Sequence, residues 1–312
     1  MGKISDSMKM LLDFEEEKEL PKLQELANKE NAVIIALIAT YVPQKVSPSK
    51  SIRAELGITE EFGVETLIDQ IKTKIKKPKK AYLLLNSFGG GVMSSYKIAC
   101  ALKNSFDEIV VFVPHIAASG GTLITLGCNQ IVMGMLSNLS PIDVQTYHKG
   151  MMVSANSLNK AFGKLQNYFK DKEEADAPYP YIALMKQIDP VIMEEWNALQ
   201  YLMDKYAKNL LKKGGYVKQD ADNISYKLIF GYDSHGQVIG FDDAKDLGLK
   251  VVKNTQYPEH WSLMKEWLGK YMLKASASHV IRYIIPERKS KNKKIQVGGE
   301  KNDKKQKRRK SQ

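Results

Sequence analysis

Two glycine-rich stretches hold the residues with the clearest potential for chemistry. In Ala117-Ala118-Ser119-Gly120-Gly121, one hydroxyl sits among residues too small to shield it, between an apolar segment ending at Pro114 and an apolar helical segment. A serine on a sharp strand-to-helix turn can attack a carbonyl. The helix N-terminus beyond it offers unpaired N–H groups, that of Gly120 first, to the oxyanion that forms. The other stretch, Asn86-Ser87-Phe88-Gly89-Gly90-Gly91, would add a second donor at Gly90 if the two preceding strands are neighbours in a parallel sheet, because both turns then open at the same edge. Taken alone, the Asn86–Gly91 stretch could be a tight packing turn and Ser119 a helix N-cap. The signal for a nucleotide-phosphate cradle at the Asn86–Gly91 turn is weak: no Lys-Ser/Thr follows the glycines, and Ser94 stands where G-x-G-x-x-G needs its last glycine.

Positioning these turns requires strand, turn and helix twice in succession, which is α/β architecture with parallel strands. The pattern predicts an amphipathic helix over 5–29 broken at Pro21, a strand at 32–41, a Pro/Ser/Lys loop from Pro43 to Ser51 and a helix over 60–76. It then predicts a strand at 81–85, a helix to 104, a strand at 109–114, a helix to Leu126 and a strand at 131–133. Helices follow over 154–172 and 189–213, then a turn-rich connection at 229–236, a short helix at 241–248 and a strand at 249–252, before a terminal amphipathic helix over 259–284. The implied organisation is an N-terminal helical segment (1–30), a main domain (31–256), a C-terminal helix (257–286) and a polybasic tail (287–312).

Of the chain's 312 residues, 47 are Lys or Arg and 35 Asp or Glu, a formal charge of +12. Residues 287–312 hold twelve of the basic and three of the acidic residues, so +9 of the +12 belongs to the tail and +3 to the body. The tail has two aliphatic residues, Ile295 and Val297, and no aromatic one, too little apolar surface to offset the entropy of ordering. It reads as a solvated arm able to touch nucleic acid or an anionic membrane surface. Cys100 and Cys128 form neither a disulfide framework nor a metal-ligand spacing and read as thiols in a reducing compartment. The longest apolar run, Ala32 to Val42, is about half of the ~20 residues a membrane span needs, and the N-terminus has no signal-peptide pattern. The expectation is a cytoplasmic protein, with peripheral membrane contact left to the tail.

Together these residues resemble a known family. Leu84-Leu-Asn-Ser-Phe-Gly-Gly90, then Val111-Phe-Val-Pro-His-Ile-Ala-Ala-Ser-Gly-Gly-Thr122, Ile131-Val-Met-Gly134, Leu139-Ser-Pro-Ile-Asp143 and Asp243-Ala-Lys-Asp-Leu-Gly-Leu249 are similar to the serine dehydrogenase proteinase family, within the Clp-fold and crotonase-like superfamily. The resemblance covers roughly residues 30–255. It implies an α/β spiral of ββα units carrying N- and C-terminal helical appendages, Ser119 as nucleophile and the Gly90 and Gly120 N–H groups as oxyanion hole. It also implies a closed homo-oligomer acting on peptide or protein substrates without a cofactor. Phe88 stands where the Clp motif usually has proline, and Gly120 where alanine is commoner; neither change removes a backbone donor.

The base is the open element of this reading. The Clp subunit uses a histidine about 25 residues after its serine, but Val144 occupies that position here and Asp143 precedes it. Membrane-associated relatives use lysine, and Lys160 follows Ser119 by 41 residues in the corresponding helical region, which makes it the expected general base. At about 100° per residue, Lys160 lies ~200° round the helix from Leu158, away from the apolar stripe of Phe162, Leu165 and Phe169. Lys149, Lys164, His148 and His235 are alternatives, as is no base at all. The expected activity is an ATP-independent serine peptidase, since no nucleotide-hydrolysing motif occurs in the chain. The alternatives are a crotonase-like acyl-CoA enzyme, which would not need a serine at this turn, and a non-catalytic scaffold binding through its tail.

Overall fold

The computed structural model describes residues 20–39, 41–43, 51–53, 55–75, 79–148, 151–170, 189–273 and 279–287. Its elements run α1 (Leu20–Glu30), β1 (Val33–Ala39), β2 (Tyr41–Pro43), β3 (Ser51–Arg53), α2 (Ile58–Lys74), β4 (Lys80–Ser87), α3 (Val92–Ser105), β5 (Glu108–Val113), β6 (Ile116–Ala117) and α4 (Gly120–Leu126). There follow β7 (Gln130–Met133), β8 (Asn138–Leu139), β9 (Gln145–His148), β10 (Met151–Ser154), α5 (Ala155–Phe169), α6 (Pro190–Lys213), α7 (Lys218–Phe230), α8 (Phe241–Asp246), β11 (Val251–Lys253), α9 (Pro258–Leu273) and β12 (His279–Ile284).

The main sheet runs β11-β7-β5-β4-β1-β12, with β6 beside β4 and β8 beside β6. Its pairings are parallel except for β12, which lies antiparallel to β1 with Ile34 opposite Ile284. The central strands are continuous apolar runs because both of their faces are covered. Pleating sends Val33, Ile35 and Leu37 of β1 toward α2, α3, α4, α6 and α7, and Ile34, Ala36 and Ile38 toward α1 and α9. Each fully buried Leu or Ile contributes about 1.5–3 kcal/mol, so the sheet is a rigid base for the loops at its carboxyl edge.

Pro21 sits in the first turn of α1, where its missing N–H needs no acceptor, and the part of the expected helix before it lies outside the described residues. The terminal helix expected to run to 284 ends at Leu273 and is followed by β12. Val280-Ile281-Arg282-Tyr283-Ile284 suits a pleated surface, with Val280 and Ile284 on one face and Ile281 and Tyr283 on the other, and it closes the edge that β1 would expose. The helix α7 was missed, although its buried Ala221, Ile224, Ser225 and Leu228 follow the i, i+3, i+4, i+7 spacing. The terminal helices are not loose appendages, because Leu23 and Leu26 of α1 and Met264 and Trp267 of α9 lie in the outer core layer. Residues 5–19, most of the Pro43–Ser51 loop and nearly all of the polybasic tail lie outside the described residues. Among the described residues no helix is long and apolar enough to cross a membrane. Cys128 is buried, which pushes its thiol up to about 12.

The outer layer also holds His260, whose ring is 4.6 Å from Tyr82, 5.9 Å from Phe112 and 5.4 Å from Tyr257 by centroid. Burial holds its pKa below the ordinary histidine value, and Nε2 has no hydrogen-bond partner among the described residues. The unfolded chain therefore binds the proton more readily than the folded one. The stability this confers is full above the unfolded value of about 6.5 and falls as pH drops from there toward the lower folded value. Urea unfolding between pH 7.5 and 5 is expected to show a falling midpoint, and His260→Phe is expected to make that fall shallower; equal slopes would show that His260 does not titrate on unfolding.

Candidate active site

Ser87, the last residue of β4, pairs in parallel with Ala117 of β6, and the Ala118 N–H donates to the Ser87 carbonyl at 2.9 Å. The two glycine turns therefore leave the sheet side by side. Their approach is closer than any side chain permits. A Cβ on Gly89 would lie 2.9 Å from the Ser119 Cβ and 3.0 Å from the Ala118 carbonyl oxygen, and one on Gly120 would lie 3.3 Å from the Gly90 nitrogen. Gly89 (φ +105°) and Gly90 (φ +153°) also occupy backbone conformations that side chains disfavour. Leu56, just before α2, clamps the first turn. Its N–H donates to the Gly89 carbonyl at 2.9 Å, its carbonyl accepts from Gly91 at 2.8 Å, and a Cβ on Gly90 would strike its backbone.

Ser119 has φ +49° and ψ −110°, a conformation that costs a non-glycine residue about 1–3 kcal/mol. The loop after β8 holds it there. The Ser119 N–H donates to Ser140 Oγ at 2.7 Å, while Thr122 Oγ1 donates to the carbonyls of Ala117 at 2.7 Å and Ser140 at 3.0 Å and accepts from the Ser140 N–H at 3.1 Å. The Ser119 hydroxyl makes no capping hydrogen bond to α4, so the simple N-cap reading does not describe it. The turn and cap hydrogen bonds that engage the N–H groups of Gly89, Gly91, Ser119 and Gly121 leave out those of Gly90 and Gly120 among the described residues.

Ser119 and Gly90 line a cleft of about 400 Å³ together with Gly91, Glu55, Asp143, His235 and apolar side chains that include Phe88, Met93, Leu199 and Leu202. Asp143 is buried, and burial raises its pKa above the usual carboxylate range against the opposing pull of Ser154, the neighbouring His235, the Asn156 amide and Gln145. Gln145 Nε2 donates to Oδ2 at 3.4 Å, while Oδ1 has no well-formed hydrogen bond among the described residues. The contributions of Leu56, Ser140 and the α6 leucines were not recognised in the sequence. Only Ser140 had a signal there, as part of Leu139-Ser-Pro-Ile-Asp143.

Lys160 is placed elsewhere. It projects from α5, with Nζ donating to Asp233 Oδ1 at 2.7 Å and to the Tyr232 carbonyl at 3.2 Å, and it does not line the cleft. The ion pair holds the exposed Asp233 carboxyl below its usual range. Lys164 is exposed on α5, His148 ends β9, and Lys149 lies outside the described residues. Among the described residues no group of three or more His, Cys, Asp or Glu side chains could hold a metal ion.

Two uncharacterized proteins of Methanocaldococcus jannaschii are similar to this chain. One is 32% identical over 244 residues, covering 78% of this chain and 76% of its own. The other is 29% identical over 213 residues, covering 68% and 64%. Among solved structures, the 1510-N membrane-bound stomatin-specific protease aligns with a TM-score of 0.40 at 15% identity, over 64% of this chain and 74% of its own. The sequence pattern of the ClpP-like SDH-type serine proteinases matches residues 23–297, spanning both glycine turns, the Ser140 loop and the His235 loop. By that match over most of its length, with the paired turns meeting at one edge of a curled parallel sheet, the chain belongs to the ClpP-like SDH-type serine proteinase family.

Proposed function

We propose that this chain cleaves peptide bonds through Ser119, with the N–H groups of Gly90 and Gly120 as its oxyanion hole and without ATP. The observation that carries the reading is a strained, uncapped serine that lines one cleft with Gly90, beside the Gly90 and Gly120 N–H groups that the local hydrogen bonds leave out among the described residues. Ser119 Oγ attacks the substrate carbonyl, and the charge that develops on its oxygen is met by donors already fixed in place, so little reorganisation is needed at the moment of reaction. Collapse of the tetrahedral intermediate releases the amine and leaves an acyl-serine, which water hydrolyses. The apolar side chains around Ser119 exclude water from the developing charge, which strengthens each hydrogen bond to it. An extended substrate segment can lie in a cleft of this size, whereas a folded domain cannot.

Two variants test this reading. Ser119→Ala is expected to abolish both casein hydrolysis and labelling by a fluorophosphonate while leaving the circular dichroism spectrum unchanged; unchanged hydrolysis in purified protein would refute the assignment. Gly90→Ala places a methyl group against the Leu56 backbone and displaces one donor. It is expected to slow hydrolysis ~10²–10³-fold, the usual effect of losing one oxyanion donor, and a wild-type rate would remove Gly90 from the site.

A further inference from the structure

Resting on the peptidase reading of Ser119, we infer that the proton acceptor for the serine is the imidazole of His235, held in place by the Asp143 carboxylate, rather than the amine of Lys160. Ser119, Asp143 and His235 reach one cleft from three separate segments: the turn before α4, the loop after β8 and the loop between α7 and α8. Those segments are tied to one another by backbone and side-chain hydrogen bonds. Ser140 Oγ holds the Ser119 N–H at 2.7 Å, and the neighbouring Leu139 exchanges hydrogen bonds of 2.9 and 3.0 Å with Ile239, four residues past His235. Ile142, beside Asp143, donates to the Leu228 carbonyl at 3.0 Å, and Asn156 Nδ2 donates to the Tyr232 carbonyl at 3.1 Å. The loops carrying the acid and the imidazole are therefore tied to the turn that carries the serine.

The chemistry of the pair fits the task. Asp143 is a buried carboxylate with acceptor capacity to spare at Oδ1, and the charge of His235 favours its ionised form. A carboxylate so placed orients a neighbouring ring and stabilises the imidazolium that forms when the ring takes a proton. Lys160 is committed elsewhere. Its ammonium donates to Asp233 and to Tyr232, and both bonds must break, and the side chain must leave the surface, before it could accept a proton from the cleft. In this arrangement Lys160 ties α5 to the segment that leads into His235.

The proton balance closes without another reactant. The imidazole takes the hydroxyl proton as Oγ bonds to the carbonyl carbon, then gives it to the leaving nitrogen as the C–N bond breaks. Water attacks the acyl-serine, losing a proton to the imidazole, and that proton returns to Oγ as the ester bond breaks. The sum is peptide plus water to acid plus amine. Asp143 acts as a positioning residue and exchanges no proton.

Fluorophosphonate labelling of the full chain tests the inference, read as a rate by mass spectrometry. His235→Ala and His235→Gln are expected to slow labelling ~10²–10⁴-fold, the usual share of a general base, and added imidazole is expected to restore part of the rate in His235→Ala only. Lys160→Met is expected to label within about fivefold of wild type, as the loss of a surface ion pair allows. Asp143→Asn is expected to slow the wild-type reaction but to cost nothing further in the His235→Ala background, a non-additivity that a merely structural role would not produce. Wild-type rates in both His235 variants, or a hundredfold loss in Lys160→Met, would overturn the inference while leaving the nucleophile intact. Wild-type labelling in Ser119→Ala would instead remove the peptidase reading, and the inference with it.

Discussion

The site depends on one close approach. The Gly89-Gly90 backbone lies against the Ser119 Cβ and the Gly120 nitrogen, and the Ser87–Ala117 pairing fixes that contact where β4 and β6 leave the sheet. A Cβ at Gly89 would push the two turns apart, and one at Gly90 would strike the Leu56 backbone that clamps the first turn. The strain at Ser119 belongs to the same constraint. A non-glycine residue stays at φ +49° only because Ser140, Thr122 and the first turn of α4 over-determine its position.

Behind the edge, the two-sided core keeps this arrangement from relaxing. The inner layer packs α2, α3, α4 and α6 on one face of the sheet, so both helices that begin at the glycine turns are anchored along their lengths by Ile98, Leu102, Leu123 and Leu126. The outer layer closes the other face with α1 and α9, and β12 covers the edge of β1. A reactive turn can afford strain when the elements on either side of it are buried this completely.

Much of this was legible in the sequence because it is local. Strand, glycine turn and helix follow one another at Tyr82–Ser105 and again at Ile109–Leu126, and small residues surround Ser119 in the chain itself. What was misread depends on long-range packing. The run Val280 to Ile284 was read as the end of the preceding helix, although its β-branched and aromatic residues suit a strand, and it pairs with the edge that β1 presents. Leu56 carries no motif, and only the folded chain lays its backbone beside Gly90.

Sequence by itself determined the fold class, the serine on its sharp turn and the glycine turn that precedes it, because each rests on residues adjacent in the chain. It could not decide which basic side chain shares the cleft with Ser119. Lys160 and His235 lie 41 and 116 residues beyond Ser119 in the chain, and sequence separation carries no information about which of the two the loops return to the edge. Tertiary structure decided it by binding the Ser140 and Ile239 segments together and pairing Lys160 with Asp233 at the surface, since hydrogen bonds between distant segments form only once the sheet has brought them into register.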